Sequence, residues 1–236
     1  MANRYPTVLL FGAPGVGKGT QGNILGSIPG LFHLSCGDIF RMLDVDSELG
    51  RVFYEHSSRG ELVPDDITVQ FWQQNIHART VLGLYKPQKD LLILDGIPRN
   101  MNQAQRIDTH IQVLKIIHLI SKDEDAMIQR IRQRALKENR VDDAKDDIIR
   151  RRWEIYRTDT RPVLEHYSER LVEKVDAVAS HVEVLSDIMK IIIPVVNQYF
   201  SSSGQNCESA VDVLTVISLS ASELAPGSFG SLLICP

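Results

Sequence analysis

Paired metal-binding cysteines, long apolar runs and a surplus of positive charge are all missing from this 236-residue sequence. Its three cysteines, Cys36, Cys207 and Cys235, are odd in number and far apart and make no CxxC pair. That spacing supports neither a disulfide framework nor a zinc site. No apolar stretch reaches the ~18 residues of a membrane span, and the N-terminus carries no signal-peptide pattern. A reducing, cytoplasmic setting with no membrane partner is therefore expected. A net charge of −4 gives no general basic face for nucleic acid, so any cationic site must be built locally. Lysine and arginine also vanish from residues 201–236, where nine serines stand among the last 36 positions. That segment reads as a Ser-rich C-terminal tail outside the core, although 211–219 is apolar enough to dock on something.

With 43% hydrophobic residues the chain can bury a substantial core, and it fits one domain with insertions better than two independent ones. Short apolar runs at 7–11, 32–35, 91–94, 115–120 and 171–175 alternate with helical patterns. The alternation predicts an α/β fold of three layers with a five-stranded parallel sheet in the middle. Ligands of such sheets sit at the carboxyl ends of the strands. The least ordinary segments of this sequence fall at those ends.

The first is Gly12-Ala13-Pro14-Gly15-Val16-Gly17-Lys18-Gly19-Thr20, between a strand and a helix pattern. Its glycines let backbone N–H groups turn toward phosphate oxygens, Lys18 supplies a point charge for β- and γ-phosphates, and the Thr20 hydroxyl can reach Mg²⁺. The second is the strand at 91–94 closed by Asp95 and followed by Gly96-Ile97-Pro98-Arg99. A carboxylate so placed can hold Mg²⁺ through water, although Asp is also a common structural strand end. Further segments follow: His33 to Arg41, with Ser35, Cys36, Asp38 and Arg41, and Gly60-Glu61-Leu62-Val63-Pro64-Asp65, with a helix restarting at Asp65 or Asp66. Gln103, four residues beyond Arg99, carries an amide able to pair with the donor and the acceptor of an adenine edge. Arg130 and Arg134 share one face of a helix beginning near Asp123, and Arg140 and the run Arg150-Arg151-Arg152 follow.

In this order the segments resemble the nucleoside monophosphate kinase family over about residues 7–200. Gly19 between Lys18 and Thr20, with Gln21 after it, is similar to the adenylate kinase form of the loop. Asp95 to Arg99 is similar to the family's Asp-Gly-Phe-Pro-Arg, with Ile97 replacing the aromatic residue. The resemblance implies a P-loop kinase domain at 1–200, containing a monophosphate-binding insertion at 36–64 and a short lid at 135–147, with the tail at 201–236 outside it. It implies reversible transfer of the γ-phosphoryl group of Mg·ATP to AMP, giving two ADP. ATP would be held by Gly15, Val16, Gly17, Lys18, Gly19 and Thr20, by Arg130 on the adenine, by Arg134 on the transferring phosphate and, from position alone, by Ala177. AMP would meet Ser35, Cys36, Arg41, Glu61, Val63, Gly96, Arg99, Gln103, Arg140 and Arg152. Lys18, Arg41, Arg99, Arg134, Arg140 and Arg152 would carry the catalytic charge, with Mg²⁺ on Thr20 and Asp95. The lid segment has no cysteine or histidine, which resembles the short-lid branch that needs no structural zinc. A monomer is expected.

Asn100, directly after Arg99, is similar to the UMP/CMP branch of the same family, so a pyrimidine acceptor stays open. Arg152 keeps register with Tyr156 and Pro162, whereas counting forward from Arg140 gives Arg151. A nucleotide-sensing module without turnover is a third reading, and phosphate-clamping cations from both sides argue against it. No Asn-Lys-x-Asp base-reading segment supports a GTPase. His33, His118 and His166 read as packed or solvated residues rather than metal ligands.

Overall fold

Tyr5–Gly12 forms β1, an apolar strand buried from Pro6 to its end, as a strand covered on both faces must be. The computed structural model to which it belongs describes residues 4–138 and 145–202. β1 lies at the centre of a five-stranded sheet with β2 (Leu31–Ser35), β3 (Leu91–Asp95), β4 (Ile111–Ile120) and β5 (Val172–Asp176), in the order β2-β3-β1-β4-β5. All four pairings are parallel. The three-layer α/β expectation therefore holds, with each of the five strands where a short apolar run stood.

The period of two along the strands divides the core. Val8, Leu10, Leu91 and Ile93 face one side, while Leu9, Phe11, Leu92 and Leu94 face the other. The first side is covered by α1 (Lys18–Leu25), α6 (Glu124–Glu138) and α8 (His181–Ser202), through Leu25, Met127, Ile131, Ile188 and Ile192. On the second, α2 (Cys36–Arg41), α4 (Asp65–Val81) and α5 (Met101–Ile107) insert Phe40, Trp72, Ile76 and Ile107. Helix α3 (Glu48–Ser57) follows α2, so the two lie within the segment expected to bind the monophosphate. Helix α7 (Asp146–Ile155) passes into a π-helical turn, Tyr156–Thr160, and then a 3₁₀ segment, Arg161–His166. Among the described residues no helix is long and apolar enough to cross a membrane.

β1, β2 and β3 extend their apolar runs by a residue or two at one or both ends, and β4 and β5 start elsewhere. β4 begins at Ile111 rather than 115, because Gln112 interrupts the apolar pattern while pairing with β1 continues across a bulge at Thr7/Val8. β5 begins one residue late, since Leu171 closes a 3₁₀ turn instead. β1 connects through α1 to β2, two places away, and β3 fills the gap. The sheet thus switches direction beside β1, which opens a crevice at the carboxyl ends of β1, β2 and β3.

Candidate active site

The loop between β1 and α1 takes its shape from glycines. Gly12 and Gly15 have φ of +149° and +83°, and a Cβ on either would stand 2.6 Å from a carbonyl oxygen, that of Leu119 or Met127. Only glycine fits at both. Lys18, in the first turn of α1, folds back so that Nζ donates to the carbonyls of Gly12 at 2.7 Å and Ala13 at 3.1 Å. Burial lowers its ammonium to about 8, with Arg99, Arg134 and Arg152 pushing the same way and Asp95 opposing them. The three guanidinium groups are thus near enough to act on one lysine. A cationic pocket has been built locally in a chain of negative net charge.

Ser35 ends β2 and caps α2, its hydroxyl accepting from the Asp38 N–H at 3.2 Å. Cys36 is buried, and burial raises its thiol to about 12, so it presents a small apolar surface rather than a nucleophile. Arg41, at the end of α2, is paired with Asp38 at 2.7 Å. From the third strand, Asp95 is buried at the carboxyl end, level with Ser35 on one side and Leu10 on the other. Arg99 is fixed more thoroughly. Its Nε donates to the Gly96 carbonyl at 2.9 Å, its backbone N–H to Gln103 Oε1 at 2.8 Å, and its carbonyl accepts from Thr160 Oγ1 at 2.7 Å.

One cavity gathers Lys18, Cys36, Arg41, Glu61, Val63, Gly96, Arg99, Gln103 and Arg152. Of the alternatives in the arginine run, Arg152 lines it, whereas Arg151 turns to Glu154 at 2.9 Å on the surface. Glu61, on the rim, lies 3.5 Å from Arg59 and 3.7 Å from His56. Beyond this cavity Arg130 donates to the Ala177 carbonyl at 3.3 Å, which ties α6 to the loop after β5. Gly15 packs against that same helix at Met127 and Ile131, so loop, α6 and the 177 turn share one side of the crevice. Thr20 is exposed in the first turns of α1. Arg140 lies outside the described residues, as do positions 139–144 of the expected lid and the tail from 203 onward.

Asn100 does not line the cavity. Its side chain caps α5 by accepting from the Gln103 N–H at 2.9 Å and donates through Nδ2 to Asp65 Oδ1 at 2.9 Å. Its likeness to a pyrimidine-specific residue is thus accounted for by a helix cap. His118 Nε2 lies 2.9 Å from the Tyr156 hydroxyl, and burial together with Arg161, Lys174 and Lys18 lowers the imidazole to about 4, so it stays neutral. His33 packs against α1 at Gly22 and Gly26, and His166 meets Asp108 at 2.8 Å. Among the described residues no three His, Cys, Asp or Glu side chains group to hold a metal. Several residues with no local signature join the site, among them Phe53, Thr68 and Tyr156, which line the cavity, and Thr160, which both lines it and holds the Arg99 backbone. Only the register of Tyr156 with Pro162 points near any of them.

Residues 10–172 match the family model described as adenylate kinase. The chain belongs to the adenylate kinase family. It is 38% identical over 188 residues to an adenylate kinase of Thermobifida fusca, covering 77% of this chain and 95% of that protein. An adenylate kinase of Kocuria rhizophila is 34% identical over 188 residues, with 77% and 96% covered, and one of Flavobacterium psychrophilum is 32% identical over 195, with 80% and 97% covered. The family span begins within β1 and ends at the first residue of β5, so it contains the glycine loop, Arg41, Arg99, Gln103 and Arg152. The chain is accordingly a nucleoside monophosphate kinase, a phosphotransferase whose acceptor is itself a phosphate.

Proposed function

We propose that this adenylate kinase moves the γ-phosphoryl group of Mg·ATP to AMP through the single crevice at the carboxyl ends of β1, β2 and β3, with ADP as both products. The observation that carries the reading is the convergence of Lys18, Arg41, Arg99 and Arg152 on one cavity that Gln103 also lines. The acceptor oxygen belongs to an ionised phosphate, so the reaction needs no side-chain base. Positioning and charge neutralisation then do the catalytic work. Lys18 leaves the Gly12 and Ala13 carbonyls for the β- and γ-phosphates. Arg41 and Arg99 hold the AMP phosphate, while Arg134, Arg140 and Arg152 neutralise the group in transit.

Gly15, Val16, Gly17, Gly19 and Thr20 cradle the ATP phosphates, and Arg130 with Ala177 borders the donor adenine. Ser35, Cys36, Glu61, Val63 and Gly96 surround AMP, whose base pairs with Gln103. Asp95 and the Thr20 hydroxyl are hard oxygen donors beside the loop, a set that suits Mg²⁺ and its retained waters. These two residues would hold Mg²⁺, which would supply charge neutralisation at the phosphate oxygens. Residues 1–200 form the kinase domain, 36–64 the acceptor insertion and 135–147 a short lid that excludes water without zinc. The tail at 201–236 takes no part in catalysis, and the enzyme is a cytoplasmic monomer.

Phosphorus NMR of the protein with Mg·ATP and AMP tests this. Two ADP should appear for each ATP and AMP consumed. ADP with inorganic phosphate and unchanged AMP would show hydrolysis instead.

A further inference from the structure

Behind Gln103 lies a carboxylate that the phosphoryl-transfer reading leaves unused. Asp65, at the first position of α4, accepts from Asn102 Nδ2 at 2.6 Å, Gln103 Nε2 at 2.8 Å and Asn100 Nδ2 at 2.9 Å. It does not line the cavity, so it acts only through its neighbours. Burial raises its carboxyl, but the hydrogen bonds from Asn102, Asn100 and Gln103 outweigh that and hold it below the ordinary value. It is therefore an anion at neutral pH, and an anion can only accept.

The other end of the Gln103 amide is equally constrained. Oε1 accepts from the Arg99 backbone N–H at 2.8 Å, and a backbone N–H can only donate. The carboxylate and the N–H together forbid the flipped amide, which would set oxygen against oxygen and N–H against N–H. A primary amide offers two donors and two acceptor positions. With one of each engaged, one N–H and one oxygen lone pair stay available in a fixed order. Adenine presents N6–H as donor and N1 as acceptor. Hypoxanthine presents the reverse at the same two places, O6 as acceptor and N1–H as donor.

We infer that Asp65 is a positioning residue for base choice: by holding Gln103 in one orientation, it makes the acceptor site select adenine over 6-oxopurines. This rests on the proposed AMP site and deepens it. It also explains why three amide side chains converge on one carboxylate at a place that touches no substrate.

The test compares AMP and inosine monophosphate as acceptors for the full chain and for Asp65→Asn, which removes the carboxylate's half of the constraint and leaves only the Arg99 N–H opposing the flipped Gln103 amide. The variant should raise KM for AMP about tenfold and lower the preference for AMP over inosine monophosphate about tenfold, the cost of one misdirected buried hydrogen bond. Its kcat and its KM for ATP should stay within about twofold, since no transition-state contact is removed. An unchanged preference, or equal losses toward ATP and AMP, would overturn the inference. Absence of AMP kinase activity in the unaltered chain would instead overturn the proposed function and this inference with it.

Should Asp65→Asn not fold, ¹⁵N-labelled unaltered protein decides. On adding AMP, one Gln103 Nε2 proton should shift while the one held by Asp65 stays. Equal movement of both, or of neither, would contradict the assignment.

Discussion

Lys18 shows most directly how the site sets function against stability. Its ammonium is partly buried among Arg99, Arg134 and Arg152, and its pKa falls from 10.5 to about 8. The folded state therefore binds fewer protons than the unfolded state between those values, and stability rises with pH across that window. Below it, the charged lysine costs the ligand-free protein roughly 3 kcal/mol. Lys18→Met should lower kcat roughly 10²- to 10³-fold while leaving the melting temperature at or above that of the unaltered enzyme. Phosphate reverses the balance by favouring the charged form. ATP affinity should fall as pH rises above about 8, with proton uptake on binding, and titration calorimetry in buffers of different ionisation enthalpy would detect it. Affinity independent of pH across that range would show that Lys18 is not the phosphate ligand. Arg99→Ala should abolish most turnover in a folded protein, since the Gln103 and Thr160 bonds reach the Arg99 backbone rather than its side chain.

Among the elements, those whose structure follows from local pattern were legible and those set by distant partners were not. The five strands, the glycine loop and the start of α4 at Asp65 follow from apolar runs, glycine spacing and a proline-preceded acidic turn. The early start of β4 was hidden, because Gln112 breaks the apolar pattern while hydrogen bonding to β1 carries on. Asp65 as the partner of Gln103 was equally hidden, since 38 residues separate them and nothing local marks the pair. Asn100 illustrates the converse: beside Arg99 it suggests a pyrimidine acceptor, and in space it caps a helix. The π-helical turn at Tyr156–Thr160 gives an element-level test. Thr160→Val removes the 2.7 Å bond to the Arg99 carbonyl and should cost about 1 kcal/mol of stability, read from the denaturant midpoint. Because that bond also seats Arg99, KM for AMP should rise more than KM for ATP. Arg134→Ala should do the opposite of Thr160→Val, lowering kcat while leaving AMP affinity nearly intact.

At the scale of the whole molecule, the five phosphate-assigned cations among the described residues each sit on a different part of the fold: Lys18 on α1, Arg41 on α2, Arg99 after β3, Arg134 on α6 and Arg152 on α7. Parallel strands ending at one edge bring those parts together, so the sheet topology is the reason the site exists. The tail lies outside that arrangement in sequence. Truncation after Ser202 should leave the melting temperature, sedimentation behaviour and AMP kinase rate unchanged, and a large fall in stability or a new oligomer would give the tail a structural role. The central claim is that the crevice joins Mg·ATP to an adenine monophosphate. Initial rates with AMP, UMP, CMP and GMP at one fixed concentration of Mg·ATP test it most directly. AMP should be preferred by at least about tenfold in kcat/KM, as expected where a buried amide is left unpaired by the wrong base. A preference for UMP or CMP would contradict the account.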